Sequence, residues 1–170
     1  MNSIKIPYIA LSFFFSLLLL ISSFFAYNQY FVIQPLHNLI SEIEGVSDTE
    51  ITSTLNKREI IIYLETDNLM GSYHEIINAV NEVVDSDIYT IEIKDDRNQL
   101  IIDKYNNLSF YVFEAIENNQ YSAFNNIMDS VSKPYDLRIE MDENIIYVNL
   151  KNGEHYLYKL IPRKQNKLVT

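Results

Sequence analysis

From Ile6 to Ala26 the chain carries 21 consecutive uncharged residues, including the runs Phe13 to Phe15 and Leu17 to Ile21. About 20 apolar residues at 1.5 Å each span the ~30 Å hydrocarbon layer of a bilayer, so this pattern predicts one transmembrane helix. The serines at 12, 16, 22 and 23 can return their hydroxyls to helix carbonyls, and Tyr27 and Tyr30 suit the headgroup region at the far end. Beyond it, Phe31, Val32, Ile33, Leu36, Leu39, Ile40 and Ile43 keep helical spacing as far as Glu44-Gly45-Val46, which predicts a juxtamembrane helix stopped by glycine. Pro35 should kink that helix or start a new one, because proline lacks a donor and crowds the preceding turn.

The pattern then changes period. Glu50 to Leu55 alternates, and Glu59 to Thr66 is apolar on both faces, so the two read as strands joined at Asn56-Lys57-Arg58, with the second placed centrally or covered on its second face. Leu69, Tyr73, Ile76, Ile77, Val80, Val83 and Val84 form a helix stripe. Ile88 to Lys94 and Gln99 to Asp103 read as strands around the turn Asp95 to Asn98. Leu108, Val112, Ala115, Ile116, Phe124, Ile127, Met128 and Val131 form a longer helical stretch, with Asn118-Asn119 as a break. Leu137 to Met141 and Ile145 to Leu150 read as a hairpin around Asp142 to Asn144, and His155 to Ile161 as a last strand turned by Asn152-Gly153. The expected fold is α+β: one N-terminal transmembrane helix, then a small two-layer domain with an antiparallel sheet and helices on one face. Three helix-hairpin units make it up, and residues 59 to 141 have the element order of a ferredoxin-like sandwich. The expected divisions are residues 1–30 as anchor, 31–46 as juxtamembrane helix, 47–162 as extracytoplasmic domain and 163–170 as a basic flexible tail.

Charge sharpens this picture. The first 40 residues hold one charged side chain, Lys5, and the other 130 hold 12 basic and 23 acidic groups, a formal charge of −11. So acidic a domain repels phosphate backbones, which makes nucleic acid an unfavourable partner. Lys5 and the Met1 amine precede the apolar run, and no Lys or Arg follows it until Lys57. The amino end is therefore expected in the cytoplasm and the domain outside the cell membrane, where nucleotides are scarce. A cleaved signal peptide fits less well, since cutting after Ala26 or Ser23 puts Phe24 or Ile21 at the −3 position. The chain has no cysteine, which removes disulfides, thiolate metal sites and a cysteine nucleophile. Its 24 Ile and 18 Asn beside 3 Gly match the usage of AT-rich bacterial genomes.

Candidate chemistry is sparse. His37, His74 and His155 stand at no ligand spacing, and a zinc site needs three or four converging donors. No Gly-x-Ser-x-Gly elbow or glycine-rich phosphate cradle occurs. The acidic pairs Asp95-Asp96 and Asp142-Glu143, and Asp85-Ser86-Asp87, read as turn residues, because calcium loops need about six oxygen ligands and usually a glycine. No catalytic, cofactor-binding or metal-binding residue is assigned, and no cofactor is expected. Two surface features remain. Tyr147, Tyr156 and Tyr158 of the terminal hairpin form a candidate partner surface, with Tyr156 and Tyr158 on one side. Lys159, Arg163, Lys164 and Lys167 form a candidate lipid-contacting tail.

The layout is similar to that of small bitopic components of pilus-assembly and secretion machines and of sporulation ring-forming domains. The likeness covers layout, and no functional residue is carried over from it. The expected function is a non-enzymatic, single-pass scaffold or accessory protein of a bacterial envelope assembly. It would contact the bilayer through residues 6–27 and other envelope proteins through its domain. One alternative is a ligand- or lipid-sensing domain, which calls for a sizeable apolar pocket. A second is a hydrolase of cell-wall polymer, which calls for carboxylates from separate turns converging in a groove.

Overall fold

A computed structural model describes residues 6–54, 57–118 and 133–163. Helix α1 runs over Ile6–Asn28, and its side chains from Tyr8 to Tyr27 are exposed. It is long and apolar enough to cross a bilayer. It continues without interruption through one wide turn, Gln29–Ile33, into α2 (Gln34–Ser41). In that turn the Gln34 N–H donates to the Gln29 carbonyl five residues back. Pro35 explains it: its ring presses on the carbonyl four residues earlier and it has no N–H to offer, so the helix widens there and a new α segment begins with proline in its first turn. Gly45, at φ +88°, ends the helical region, and its carbonyl accepts the Glu65 N–H at 2.8 Å. A Cβ at that position would collide with the Glu65 carbonyl oxygen.

β1 (Val46–Ser53) pairs antiparallel with β2 (Arg58–Leu64), from Val46 opposite Leu64 to Ser53 opposite Arg58. β2 then pairs in parallel with β3 (Thr90–Lys94), Ile60 opposite Ile91 and Ile62 opposite Ile93. The crossover between them is α3 (Leu69–Val83), capped by the Asn68 side chain accepting the Gly71 N–H, and it buries Leu69, Ser72, Ile76 and Val80. β2 is thus the central strand of three, one of the two placements that its run of apolar residues allows.

The expected strand over Gln99 to Asp103 is instead the first turn of α4 (Gln99–Asn118). Asn98 starts it by accepting the Ile101 N–H on its side chain and the Ile102 N–H on its carbonyl. Ile101, Tyr105, Leu108, Val112 and Ala115 are all buried, and their spacing of three and four shows a helical period that five residues alone do not reveal. Phe124, Ile127, Met128 and Val131 lie outside the described residues. β4 (Asp136–Met141), β5 (Ile145–Asn152) and β6 (His155–Pro162) form a second, antiparallel sheet in that order. Gly153, at φ +64°, makes the two-residue turn between β5 and β6.

The fold is α+β with two three-stranded sheets, where one antiparallel sheet is expected from the sequence, and the first of them is mixed. Helices also lie on both faces of the second sheet and not on one. Ile146, Val148, Leu150 and Leu157 pack with the buried stripe of α4. The alternate residues Tyr147 and Tyr158 pack into a core shared by α2, α3 and the first sheet. The sheets meet where the β3–α4 loop covers the outer edge of β6: the Asp96 carbonyl accepts the Tyr156 N–H, and the Asp95 carboxylate accepts the Tyr158 N–H.

Candidate functional site

The β5–β6 register places Tyr147, Asn149 and Lys151 opposite Leu160, Tyr158 and Tyr156, so the three tyrosines share one face, as the alternation of strand residues requires. That face is covered. Tyr147 is 1% exposed and Tyr158 4%, so the expectation of a tyrosine partner surface is corrected: α3 and the first sheet pack on these rings, and Tyr156 alone keeps part of its ring at the surface. The Tyr156 and Tyr158 rings lie 5.2 Å apart, on the same side. The Tyr158 hydroxyl accepts the Thr66 N–H at 2.7 Å and donates to the Thr66 carbonyl at 2.8 Å, which ties the second sheet to the end of β2. Burial pushes the Tyr158 phenol well above its usual range, with the Thr66 hydrogen bond opposing.

At the other end of the same face Tyr147 meets His74 from α3 and Asp142 from the β4–β5 turn. The Tyr147 hydroxyl donates to one Asp142 carboxylate oxygen at 2.6 Å, and His74 Nε2 lies 2.8 Å from the same oxygen. The second oxygen accepts the Asn144 and Ile145 N–H groups, each at 2.7 Å. Burial pushes the Asp142 carboxyl up, but the bonds from Tyr147, the Asn144 N–H, His74 and the Ile145 N–H outweigh it and hold the group well below the usual carboxylate range. Burial, then the hydrogen bond and charge of Asp142, pushes the Tyr147 phenol far up. A general acid or base works best with a pKa near the working pH, and this pair has moved away from neutrality in both directions. The arrangement is a lock between α3 and the second sheet. His74 reaches it from 68 residues away, a meeting that no spacing in the sequence signals.

The other acidic turns have comparable structural tasks. Asp95 holds Tyr158 and Arg97, Asp96 faces His155 Nδ1 at 2.9 Å, and Asp85 accepts the Asp87 N–H in a short 3-10 turn. Among the described residues no three His, Cys, Asp or Glu side chains cluster to hold a metal ion. The tail residues are also drawn inward. Lys159 Nζ sits 5.6 Å from the centre of the Tyr105 ring, and the Arg163 N–H donates to the Asn144 carbonyl at 2.7 Å while its guanidinium donates to the Asp142 carbonyl. These contacts brace both cations against the fold, and Arg163, expected as the first residue of the flexible tail, is bonded to the β4–β5 turn. Lys164 and Lys167 lie outside the described residues.

An open groove of about 640 Å³ lies where α2 turns into β1 and β2 leads to α3. Glu44, Glu65, Asp67 and Glu75 converge there with Ser47, Asn68 and Lys151, whose Nζ is 3.3 Å from Asp67. These carboxylates are not those of the turns singled out in the sequence, and charged and polar side chains make up most of the lining, where a lipid sensor calls for an apolar pocket. Away from it, α4 exposes Leu100, Phe110 and Phe113, with Phe110 68% exposed. No known family model, curated protein or solved structure matches the chain.

Proposed function

We propose that this chain is a single-pass membrane protein with a cytoplasmic amino end and an extracytoplasmic α+β domain that binds other envelope proteins. In this reading it is a non-catalytic scaffold or accessory part of a bacterial envelope assembly. The observation that carries it is the absence of any linker between the apolar helix and the domain: α1 passes through the wide turn into α2, whose Leu36 and Ile40 are 0% exposed in the domain core. An enzyme acting on diffusing substrate gains little from such a fixed pose, whereas an assembly component needs its contact surfaces held at a set height and orientation. Lys5 before α1, with no Lys or Arg after it until Lys57, supports the orientation. The exposed Phe110 and Phe113, one helical turn apart, supply apolar area of the kind that the covering face of an envelope protein buries.

The experiment has two parts. A single cysteine at Glu154, in the exposed β5–β6 turn, should react with a membrane-impermeant maleimide on intact cells. A photocrosslinking amino acid at Phe110 should then give one discrete adduct with a second envelope protein, and Phe113→Asp should remove that adduct. Labelling only after lysis, or an adduct of the chain with itself, would overturn the reading.

A further inference from the structure

Sequence distance hides where the first cations after the apolar helix lie. Lys57 and Arg58 follow Asn28 by about 30 residues, but β1 reverses the chain at Gly45 and returns alongside the helix. From Ser41 back to Asn28 the helix axis covers about 20 Å, and from Val46 to Ser53 the strand covers about 23 Å. The two paths end together: Asn28 Nδ2 donates to the Ser53 carbonyl at 3.4 Å, and the Ser53 hydroxyl donates to Asn28 Oδ1 at 3.3 Å. Asn28 lies two residues past Ala26, where the apolar run stops, or about 3 Å along the axis. The hairpin closes one step nearer the apolar helix still, where Thr54 donates its N–H to the Lys57 carbonyl at 2.8 Å and accepts the Lys57 N–H on its hydroxyl at 3.0 Å. Exposed Tyr27 and Tyr30 lie at the same level, Tyr27 stacked on Phe31 with ring centres 5.1 Å apart.

We infer that the β1–β2 tip, through Thr54, Lys57 and Arg58, rests in the outer headgroup layer and binds the phosphates of anionic phospholipid. The inference rests on α1 being a membrane span. The Lys57 side chain is 62% exposed; its ammonium is 2.6 Å from Glu59, and an ammonium has three donors, so that pairing leaves others for phosphate. Arg58 is exposed on the face of β2 that carries Ile60 and Ile62, and a guanidinium forks onto phosphate through two parallel N–H bonds. These two cations lie at the bilayer end of β1, while the acidic groove lies at its other end, around Gly45 and Val46. The start of β3, opposite Glu59, brings Asp85 and Asp87 to the same end of the sheet, so the contact is one of two local cations and not of a positive face.

The absence of native cysteine makes the test direct. The full chain, carrying a single environment-sensitive dye at Thr54→Cys, Phe15→Cys or Glu154→Cys, is placed in nanodiscs of phosphatidylcholine with or without phosphatidylglycerol. Quenching is then read from lipid spin-labelled at the headgroup or deep in the acyl chain. The Phe15 dye should be quenched by the deep label, the Thr54 dye by the headgroup label, and the Glu154 dye, beyond the groove, by neither. Phosphatidylglycerol should strengthen quenching at Thr54. Lys57→Gln and Arg58→Gln should each shift the ratio of docked to undocked tip about fivefold toward undocked. An unquenched Phe15 dye overturns the membrane reading itself. A quenched Phe15 dye with an unquenched Thr54 dye overturns the hairpin contact alone, and quenching at Thr54 that ignores both phosphatidylglycerol and the two substitutions overturns the recognition of phosphate.

Discussion

Truncating Leu36 tests whether the helix leaving the apolar segment is part of the domain or only a tether to it. Leu36 is 0% exposed and packs, with Ile40, in the same core as Ile60, Ile62, Leu64, Ile76 and Val80. Leu36→Ala removes three carbons from a site bounded by two helices and a sheet, which can collapse only in part. Loss of the burial free energy together with the residual cavity should cost about 2–5 kcal/mol. Ile40→Ala belongs to the same range, and because both residues share one core their effects should not simply add. Against a total of about 5–15 kcal/mol for a domain of this size, either change is a large fraction. The assay is equilibrium urea unfolding of the detergent-solubilised chain, followed by tyrosine fluorescence. Asn38→Ala, on the exposed side of the same helix, serves as reference and should stay within about 0.5 kcal/mol. If Leu36→Ala were as mild as Asn38→Ala, the helix would be a tether, and the fixed pose on which the scaffold reading depends would be gone.

Further consequences follow from the buried tyrosines and the glycine turn. Tyr147→Phe keeps the ring in the core and deletes a charge-assisted bond, so it should cost about 1.5–3 kcal/mol at neutral pH. Since the Asp142 carboxyl titrates lower in the folded chain than in the unfolded one, its contribution is complete above about pH 4 and fades as the pH falls further. The gap between Tyr147→Phe and the parent chain should therefore narrow in acid unfolding curves, and a constant gap would refute the assignment. Tyr158→Phe should cost about 1–3 kcal/mol in urea melts, because it leaves the Thr66 N–H without its acceptor. Gly45→Ala should cost about 2–3 kcal/mol in the same melts, combining positive-φ strain with displacement of the Glu65 carbonyl; a neutral result would mean that the turn rearranges freely.

What could be read from the sequence was what one stretch of chain decides for itself. The length of the apolar run, the stripe of α3, the glycine after α2 and the three terminal strands each need only local period and turn chemistry. Gln99 to Asp103 shows the limit: five residues with three apolar positions at the centre suit a strand or a helix, and only the capping bonds from Asn98 and the contacts of Ile101 with the second sheet select the helix. The tyrosine face shows another. Alternation correctly puts Tyr156 and Tyr158 on one side, but whether that side is wet depends on α3 and the first sheet, whose pairing spans some 80 residues. Lys159 and Arg163 were equally ambiguous, since a cation that braces an aromatic ring or a carbonyl looks the same in sequence as one left in solvent.

The strongest geometric constraint on function is β1 acting as a spacer. Its last residue is tied to Asn28 at the edge of the apolar helix, and its first lies in the acidic groove, about 23 Å away by the rise of an extended strand. With α1 in a bilayer, the groove carboxylates Glu44, Glu65, Asp67 and Glu75 are held away from the headgroups by more than the ~8 Å screening length at physiological salt, whereas Lys57 and Arg58 sit within it. Mechanical attachment through Leu36 and Ile40 would therefore hold a single pose, with Lys57 and Arg58 toward the lipid and the acidic groove on the aqueous side. Reversing the charge of Lys57 and Arg58 would test the proposed phosphate contact against that attachment. Because the covalent path through α2 persists, the domain would keep its place and lose only the lipid preference, and that separates an anchor built into the core from one held by surface charge.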